Sequence, residues 1–304
     1  MTKRRSENVP VTAHIPSHRQ ANLIGGALMV AAMAAFAVED ALLKSAAQTL
    51  PVAQVLALFG LGGAVLFAAY VVLTGQRLFR VEVLSRPMQL RVVFEITGRL
   101  FYMLAIALTP LSAATVILQA TPIVVVASAA LLFGERVGWR RWMAVVIGLC
   151  GVVLIVRPGA NSFSALSLLA VLGMLGFAGR DLASRAAPAS LGIAVLGFYG
   201  FLSLIAAGLL YSLWEGAAFV VPATGAAWSI TAAVVFGVVA YASLMKAMRT
   251  GEVAAVTPLR YSRLLFGVGL GVVMFGETLD PAMLAGSGLI VLSGLFILWR
   301  GRSA

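Results

Sequence analysis

Eight ionisable residues interrupt long apolar stretches of this 304-residue chain. A charge at the centre of a lipid bilayer costs at least about 2.5 kcal/mol, so such residues usually face one another or a polar cavity. Four are acidic and four are basic, so that their charges cancel when all of them ionise and mutual pairing is available. They are Glu39, Asp40, Glu95 and Asp181 against Arg99, Arg180, Arg260 and Arg263.

The adjacent carboxylates of Glu39 and Asp40 predict a site that binds and releases a proton. Neighbouring residues point about 100° apart on a helix, so both cannot face the same partner, and we expect one to face a cavity. Two carboxylates close together in a poorly hydrated site can take up and release a proton near neutral pH. The predicted coupling residues are Glu39, Asp40, Glu95 and Asp181.

Helical spacing also offers a purely structural interpretation of these charges, in which they form salt bridges that fix helix packing. Residues four apart share a helix face, so ion pairs can form along one helix. This alternative stays open for Glu95 with Arg99 and for Asp181 with Arg180 or Arg185. The spaced sets are Arg91–Glu95–Arg99, Asp40–Lys44 and Asp181–Arg185.

A basic segment after Pro258 predicts recognition of an anionic group. Proline removes one backbone hydrogen bond, and the guanidinium of arginine grips a carboxylate in two places. The alternative is that Arg260 and Arg263 only neutralise the buried acids. Tyr102 can stack on a flat or cationic ligand, and Gln119 is a polar group at membrane depth. The predicted substrate-binding residues are Arg99, Tyr102, Gln119, Arg260, Tyr261 and Arg263.

The composition requires that these residues be held by membrane-spanning helices. The chain is 61% hydrophobic and 11% charged, with a mean hydropathy of +1.01, whereas soluble domains carry about 25% charge. An all-α integral membrane protein follows, with a basic, disordered tail at 1–20 and ten transmembrane helices. The predicted spans are 22–44, 52–74, 90–108, 112–133, 139–156, 164–184, 190–214, 226–247, 252–275 and 280–299.

Charge placement gives the predicted orientation. With both termini in the cytoplasm, sixteen basic residues fall on the inner side, Arg91 among them, and only Lys44 and Arg157 fall outside. This bias is the positive-inside pattern, so the net charge of +11 reflects topology and no nucleic-acid partner is expected. All five tryptophans fall at predicted span ends, where amphipathic rings lie at headgroup level: Trp139, Trp142, Trp214, Trp228 and Trp299.

The two halves of the chain resemble each other. Phe36-Ala37, Asp40 and Lys44 correspond to Phe177-Ala178, Asp181 and Arg185 at a shift of 141 residues. Phe133-Gly134-Glu135 corresponds to Phe275-Gly276-Glu277 at a shift of 142 residues. Each half holds five predicted spans, and an odd number makes the second half enter the membrane from the opposite side. The sequence thus predicts two inverted repeats, 21–157 and 163–301.

At these positions the chain resembles the drug/metabolite transporter superfamily, in particular proteins with two EamA-type domains. In the first half the resemblance rests on Arg91, the run ALTPLSAA at 107–114, Pro122, Phe133-Gly134-Glu135, Arg140-Arg141-Trp142 and Arg157-Pro158-Gly159. In the second half it rests on Ala254, Pro258-Leu259-Arg260-Tyr261, Gly276-Glu277 and the glycines of the last span. Asp40 with Lys44, Arg91 and the Pro258 run look most like the branch that includes S-adenosylmethionine transporters. The resemblance implies a ten-helix carrier of small organic metabolites, often driven by proton exchange.

The predicted function is secondary active transport by alternating access in a bacterial inner membrane. The expected partners are the lipid bilayer, a small zwitterionic or charged substrate that is amino-acid-like or nucleoside-like, and a proton or counter-metabolite, with the protein a monomer or homodimer. Export of aromatic or amphipathic compounds is the alternative, and an integral membrane enzyme is the weaker rival because no nucleophile with its base is present. No cofactor or metal is expected, since Cys150 is the only cysteine and both histidines lie in the tail.

Overall fold

The computed structural model describes residues 18–75, 77–133, 138–156, 165–188, 190–250 and 256–300. Within these residues the chain forms α-helices and two short 3-10 helices, Val81–Leu84 and Thr257–Tyr261, and no β-strand. The predicted tail up to residue 17, the Gly134-Glu135 motif and the Arg157-Pro158-Gly159 motif lie outside the described residues. The α-helices are α1 His18–Ala47, α2 Val52–Leu73, α3 Arg86–Leu108, α4 Leu111–Leu118, α5 Thr121–Phe133, α6 Trp139–Val156, α7 Ser167–Arg185, α8 Ile193–Glu215, α9 Thr224–Thr250, α10 Ser262–Phe275 and α11 Pro281–Arg300.

Six helical stretches in the described ranges are long and apolar enough to cross a membrane. They are Gln20–Ala47, Val52–Leu73, Leu111–Leu132, Ser167–Ser184, Ile193–Glu215 and Thr224–Ala247. The helix α3 has the necessary length, but four charged residues lower its hydropathy: Arg86, Arg91, Glu95 and Arg99. Many large apolar side chains are exposed, among them Leu73 and Leu213, as expected of a surface that faces lipid. The all-helical membrane fold is therefore confirmed, whereas ten spans and their inversion stay predictions.

The fourth predicted span is interrupted between α4 and α5. Pro122 has no N–H to donate to the carbonyl of Leu118, and the hydroxyl of Thr121 donates to that carbonyl instead, at 2.6 Å. Residues Gln119 and Ala120 adopt tighter i→i+3 hydrogen bonds at the break. The ninth predicted span is also irregular, because the 3-10 helix Thr257–Tyr261 precedes α10. The regular α-helical backbone is thus interrupted at two places in otherwise apolar segments.

Close packing between α3 and α7 depends on glycine. A Cβ atom on Gly176 would collide with the backbone of Gly98, and one on Gly173 would lie 2.9 Å from the backbone nitrogen of Tyr102. Only glycine allows this approach, which is common where membrane helices cross. The crossing brings the charged face of α3 directly against the C-terminal half of α7.

Candidate functional site

Asp40 lies at the centre of a buried polar cluster between α1, α3 and α10. Its carboxylate accepts a hydrogen bond from the Tyr102 hydroxyl at 2.9 Å and one from Arg263 Nη2 at 2.6 Å. The guanidinium of Arg263 also lies over the ring of Phe36, 5.1 Å from its centroid. Asp40 is therefore held by one neutral and one charged donor, and the cluster joins the first span to the ninth.

Glu39 faces a different partner, as the helical geometry predicted. Its Oε1 accepts a hydrogen bond from Arg99 Nη1 at 3.1 Å. Its Oε2 is buried and has no hydrogen-bond partner among the residues that the structure describes. That oxygen lies in a tight space beside Gly237, where an added Cβ would be 3.1 Å from it and equally close to the Phe59 ring. Glu39 is thus a carboxylate in an apolar enclosure with half of its acceptors unused.

Glu95 is the most heavily paired acid of the cluster. Its carboxylate lies 3.5 Å from Arg91 Nη2, 3.7 Å from Arg99 Nε and 3.4 Å from Arg180 Nη1. The first two contacts are the i, i+4 ladder along α3 that the spacing predicted, and the third joins α3 to α7. Glu95 therefore cross-links two helices, in agreement with the structural interpretation of this residue.

Arg91 was expected to open the third span on the cytoplasmic side, and the structure places it deeper in the helix, within the buried cluster. The residue is only 4% exposed, and its Nε donates to the Ser184 hydroxyl at 3.0 Å while Nη2 approaches Glu95. The reason is that α3 begins at Arg86, so Arg91 lies more than one turn inside the helix. The predicted i, i+4 relation to Glu95 is present, although Arg91 was not counted among the charges inside the membrane.

Asp181 pairs with its neighbour Arg180. Arg180 Nη2 lies 2.8 Å from Asp181 Oδ1, and the guanidinium lies over the Phe177 ring at 4.7 Å from its centroid. Both side chains remain partly exposed, Arg180 at 24% and Asp181 at 30%. The side chain of Arg185, the other predicted partner, lies outside the described residues. This end of the cluster is the part that solvent reaches most readily.

The two helix breaks meet at Gln119 and Arg260. The side-chain amide of Gln119 donates to the backbone carbonyl of Arg260 at 3.1 Å. The guanidinium of Arg260 is partly buried and makes no hydrogen bond or ion pair with the described part of the chain. Tyr261 is buried with its ring against Gly294 of α11, where an added Cβ would collide with the hydroxyl. Gln119 and Arg260 thus adjoin each other, while Tyr261 points to a neighbouring helix.

A small cavity adjoins Asp40. Its volume is about 10 Å³, room for about one water molecule. Polar atoms enter it from Asp40, Arg99 and Tyr102, and apolar side chains close the remainder. Its lining comes from α1, α2, α3 and α8: Asp40, Leu43, Leu56, Phe59, Arg99, Tyr102, Met103, Ile106 and Leu204. The cavity places three of the predicted site residues on one wall.

The side chain of Glu277 links several helices at one end of the bundle. We call this group of residues the Glu277 clasp; it consists of Lys44, Leu111, Ser112 and Glu277. The Glu277 carboxylate accepts hydrogen bonds from the backbone N–H groups of Leu111 and Ser112 at 2.6 and 2.9 Å, and from the Ser112 hydroxyl at 2.6 Å. It therefore caps the N-terminus of α4. Lys44 Nζ lies 3.9 Å from the same carboxylate.

Lys44 completes the clasp by binding the end of α3. Its ammonium group donates to the carbonyls of Ile106 and Thr109 at 2.8 and 2.6 Å. The i, i+4 spacing had suggested Asp40 as a partner of Lys44, but Asp40 binds Tyr102 and Arg263 instead. The sequence did not indicate the clasp because its members are far apart along the chain: Leu111 lies 166 residues before Glu277, and Lys44 lies further still.

The arrangement suits the binding and release of charged groups. In the described ranges, no group of three or more His, Cys, Asp or Glu side chains is placed to hold a metal ion. The cluster instead offers arginines, carboxylates and a tyrosine around a buried cavity. Such a constellation binds charged ligands and exchanges protons.

The sequence is similar to a family of membrane transporters. Residues 23–157 match the EamA-like transporter family. The pseudopaline exporter CntI of Pseudomonas aeruginosa is 31% identical over 276 residues, which are 88% of this chain and 94% of the exporter. An S-adenosylmethionine uptake transporter of Rickettsia bellii is 26% identical over 72% of this chain and 75% of its own length. A riboflavin transporter of Vibrio cholerae is 26% identical over 71% of this chain and 72% of its own length.

A solved crystal structure shares the fold. It superimposes with a TM-score of 0.62 over 93% of this chain and 99% of its own, at 20% sequence identity. At that identity the likeness concerns the fold alone.

Proposed function

This chain belongs to the EamA-like transporter family of the drug/metabolite transporter superfamily, and from that membership we propose a secondary active transporter of a zwitterionic or charged organic metabolite. Its relatives carry small molecules across membranes, as the names of the pseudopaline exporter, the S-adenosylmethionine uptake transporter and the riboflavin transporter state. The observation that carries the proposal is the buried cluster of paired charges around the cavity at Asp40.

The proposed architecture is ten spans in two inverted five-helix repeats, 21–157 and 163–301. The pattern of helix packing supports it. The largest interfaces join α1 to α9, α3 to α7, α2 to α8 and α6 to α11, each between the two halves. In the predicted repeats, α1, α2, α3 and α6 correspond to α7, α8, α9 and α11. Exchanging each helix for its counterpart turns the α1–α9 interface into the α7–α3 interface. The α2–α8 and α6–α11 interfaces are each turned into themselves. That is the behaviour of a pseudo-two-fold axis.

The proposed substrate site lies where the two broken helices meet. In transporters with inverted repeats, interrupted spans at corresponding positions mark the binding site near the midplane. Here the fourth and ninth spans are the irregular ones, and Gln119 contacts Arg260, 141 residues away, the same interval as the repeat shift. We place the substrate beside this contact, with Arg99, Tyr102 and Arg263 lining the route to Asp40.

Coupling is proposed at Glu39 and Asp40. Substrate binding and proton binding compete for the same charges, because Asp40 is tied to Arg263 and Glu39 to Arg99. A proton or an anionic group that arrives at either pair frees the other member, and the helices that the pair joins can then separate. Exchange against a second metabolite would use the same pairs.

The proposed orientation places both termini in the cytoplasm of a bacterial cell, with the Glu277 clasp at the outer face. The bias of the basic residues supports this assignment, since sixteen of them fall on the inner side and two on the outer side. Exposed tryptophans at helix ends, Trp139, Trp214, Trp228 and Trp299, mark the two interfaces. The clasp then closes the outer side of the transport path in the conformation described. Alternating access requires that it open once in each cycle.

Transport in reconstituted proteoliposomes tests the proposal. A thermal-shift screen of amino acids, nucleosides and the named substrates of the relatives would identify ligands, which are then assayed for uptake with and without a pH gradient. We expect Asp40→Asn to reduce transport strongly and Glu82→Gln, the same change at an exposed site, to leave it intact. Unaltered transport and unaltered dependence on the gradient in Asp40→Asn would remove Asp40 from the mechanism.

A further inference from the structure

We propose that Arg260 binds a carboxylate group of the substrate, and that the bound substrate carries one more negative charge than positive charges. This inference rests on the proposed transport function and adds the chemical class of the substrate. It follows from a count of the buried charges, from the pairing of each one, and from the position of Arg260 where the two helix breaks meet.

Among the residues that the structure describes, the buried cluster has an excess of one positive charge. The sequence suggested four acids and four arginines, but the structure adds Arg91, which is buried against Glu95. Five guanidinium groups therefore accompany four carboxylates. Lys44 and Glu277 form a separate neutral pair in the clasp and do not change this count.

Four of the five arginines are paired. Arg263 binds Asp40, and Arg99 binds Glu39. Arg91 and Arg180 both contact Glu95, and Arg180 also binds its neighbour on α7. Every carboxylate of the cluster is thus in use, and none is left over for a fifth guanidinium.

Arg260 is the remaining arginine, and it forms no salt bridge with the described residues. The carboxylate of Asp181 attracts its charge but is already bound to Arg180, and the charges of Arg180 and Arg263 repel it. A partly buried cation that has no salt bridge of its own favours an anion that binds beside it. The backbone carbonyl of Arg260 accepts a hydrogen bond from the Gln119 side chain, which holds this part of the chain against the break between α4 and α5.

A carboxylate fits this charge better than a phosphate does. A guanidinium offers two parallel donors to the two oxygens of a carboxylate. One carboxylate cancels the single excess charge, whereas a phosphate monoester carries about −1.5 to −2 at pH 7 and would leave an excess of negative charge in the membrane. A zwitterion with one further carboxylate meets the same requirement, because its opposite charges cancel each other.

Chemical modification with phenylglyoxal, mapped by mass spectrometry on the purified full-length protein, tests whether Arg260 is free. We expect Arg260 to react about tenfold faster than Arg263, the factor that corresponds to about 1.4 kcal/mol of ion pairing that the reagent must break. We also expect benzoate to protect Arg260 while neutral benzamide, which has the same shape, does not. Equal reactivity of the two arginines, or equal protection by both compounds, would overturn the proposal.

Thermal stability provides a second measurement with a matched control. Arg260→Gln removes a partly buried charge that has no salt bridge, and with it the free-energy cost of holding that charge away from water. The variant should therefore melt at the same temperature as the wild type or higher. Arg263→Gln should melt lower, because it leaves Asp40 without its cation. If Arg260→Gln lowers the melting temperature as much as Arg263→Gln does, Arg260 is a structural ion-pair partner and the proposal fails. Neither measurement requires transport, so a failure here is distinct from a failure of the proposed function.

Discussion

The Glu277 clasp gives a prediction whose size follows from its geometry. The change is Glu277→Gln, which keeps the shape of the side chain and removes its charge. The carboxylate accepts three hydrogen bonds from Leu111 and Ser112 at 2.6 to 2.9 Å, and Lys44 lies 3.9 Å away. An amide has a single acceptor oxygen, so the NH₂ group of glutamine must face an N–H donor at the start of α4.

The loss amounts to one or two charge-assisted hydrogen bonds. Each contributes about 1.5 to 3 kcal/mol, so we expect the closed outer end to be destabilised by about 3 kcal/mol relative to the open one. That free energy corresponds to a change of about 100-fold in the ratio of open to closed molecules. The expected effect is a shift of population from the outward-closed to the outward-open state, because in the proposed cycle the clasp forms only when the outer end is closed.

Accessibility of a buried cysteine measures this shift. Leu43 lies on the cavity wall and is 4% exposed, and the single native cysteine, Cys150, can be replaced by alanine. In that background, Leu43→Cys should react with a membrane-impermeant maleimide added from outside much faster when Glu277→Gln is present. Glu82→Gln is the control, since it removes the same charge from an exposed position. An unchanged labelling rate in Glu277→Gln, in a variant that remains monodisperse, would refute the clasp as an outer gate.

Two further predictions concern packing and coupling. Gly176→Ala places a methyl group against the backbone of Gly98, so we expect the free energy of unfolding to fall by about 1 to 3 kcal/mol. The measurement is the melting temperature in detergent, which should be lower. Gly269→Ala is the control, because its Cβ would lie in open space and should leave the melting temperature unchanged. Glu39→Gln removes the carboxylate whose second oxygen is unpartnered within the described residues, and transport measured with and without an imposed pH gradient should lose its dependence on that gradient. Retained gradient dependence would assign coupling to another group.

Much of the cluster could be predicted from spacing within single helices. The Arg91–Glu95–Arg99 ladder and the divergence of Glu39 from Asp40 follow from 3.6 residues per turn, and the structure has both. Each of these features depends on residues less than three turns apart, for which helical geometry alone fixes the relative direction of the side chains.

Contacts between helices could not be predicted in the same way. Lys44 could reach Asp40 along α1, but it binds Glu277 and two carbonyls of α3. Arg263 could pair with any of three acids, and it binds Asp40. Hydropathy placed Arg91 at the start of its span, whereas α3 begins at Arg86, because the apolar run alone does not show where the helix begins.

The amino-acid sequence by itself determined that this protein lies in a membrane, where its helices run and which charges they carry into the lipid, because these properties depend on local composition and on the 3.6-residue period. Only the tertiary structure decided which charges neutralise each other, because a guanidinium pairs with whichever carboxylate the helix crossings bring within reach. That choice leaves Arg260 as the arginine of the cluster that forms no salt bridge with the described residues, and it pairs Lys44 with Glu277 at one end of the bundle.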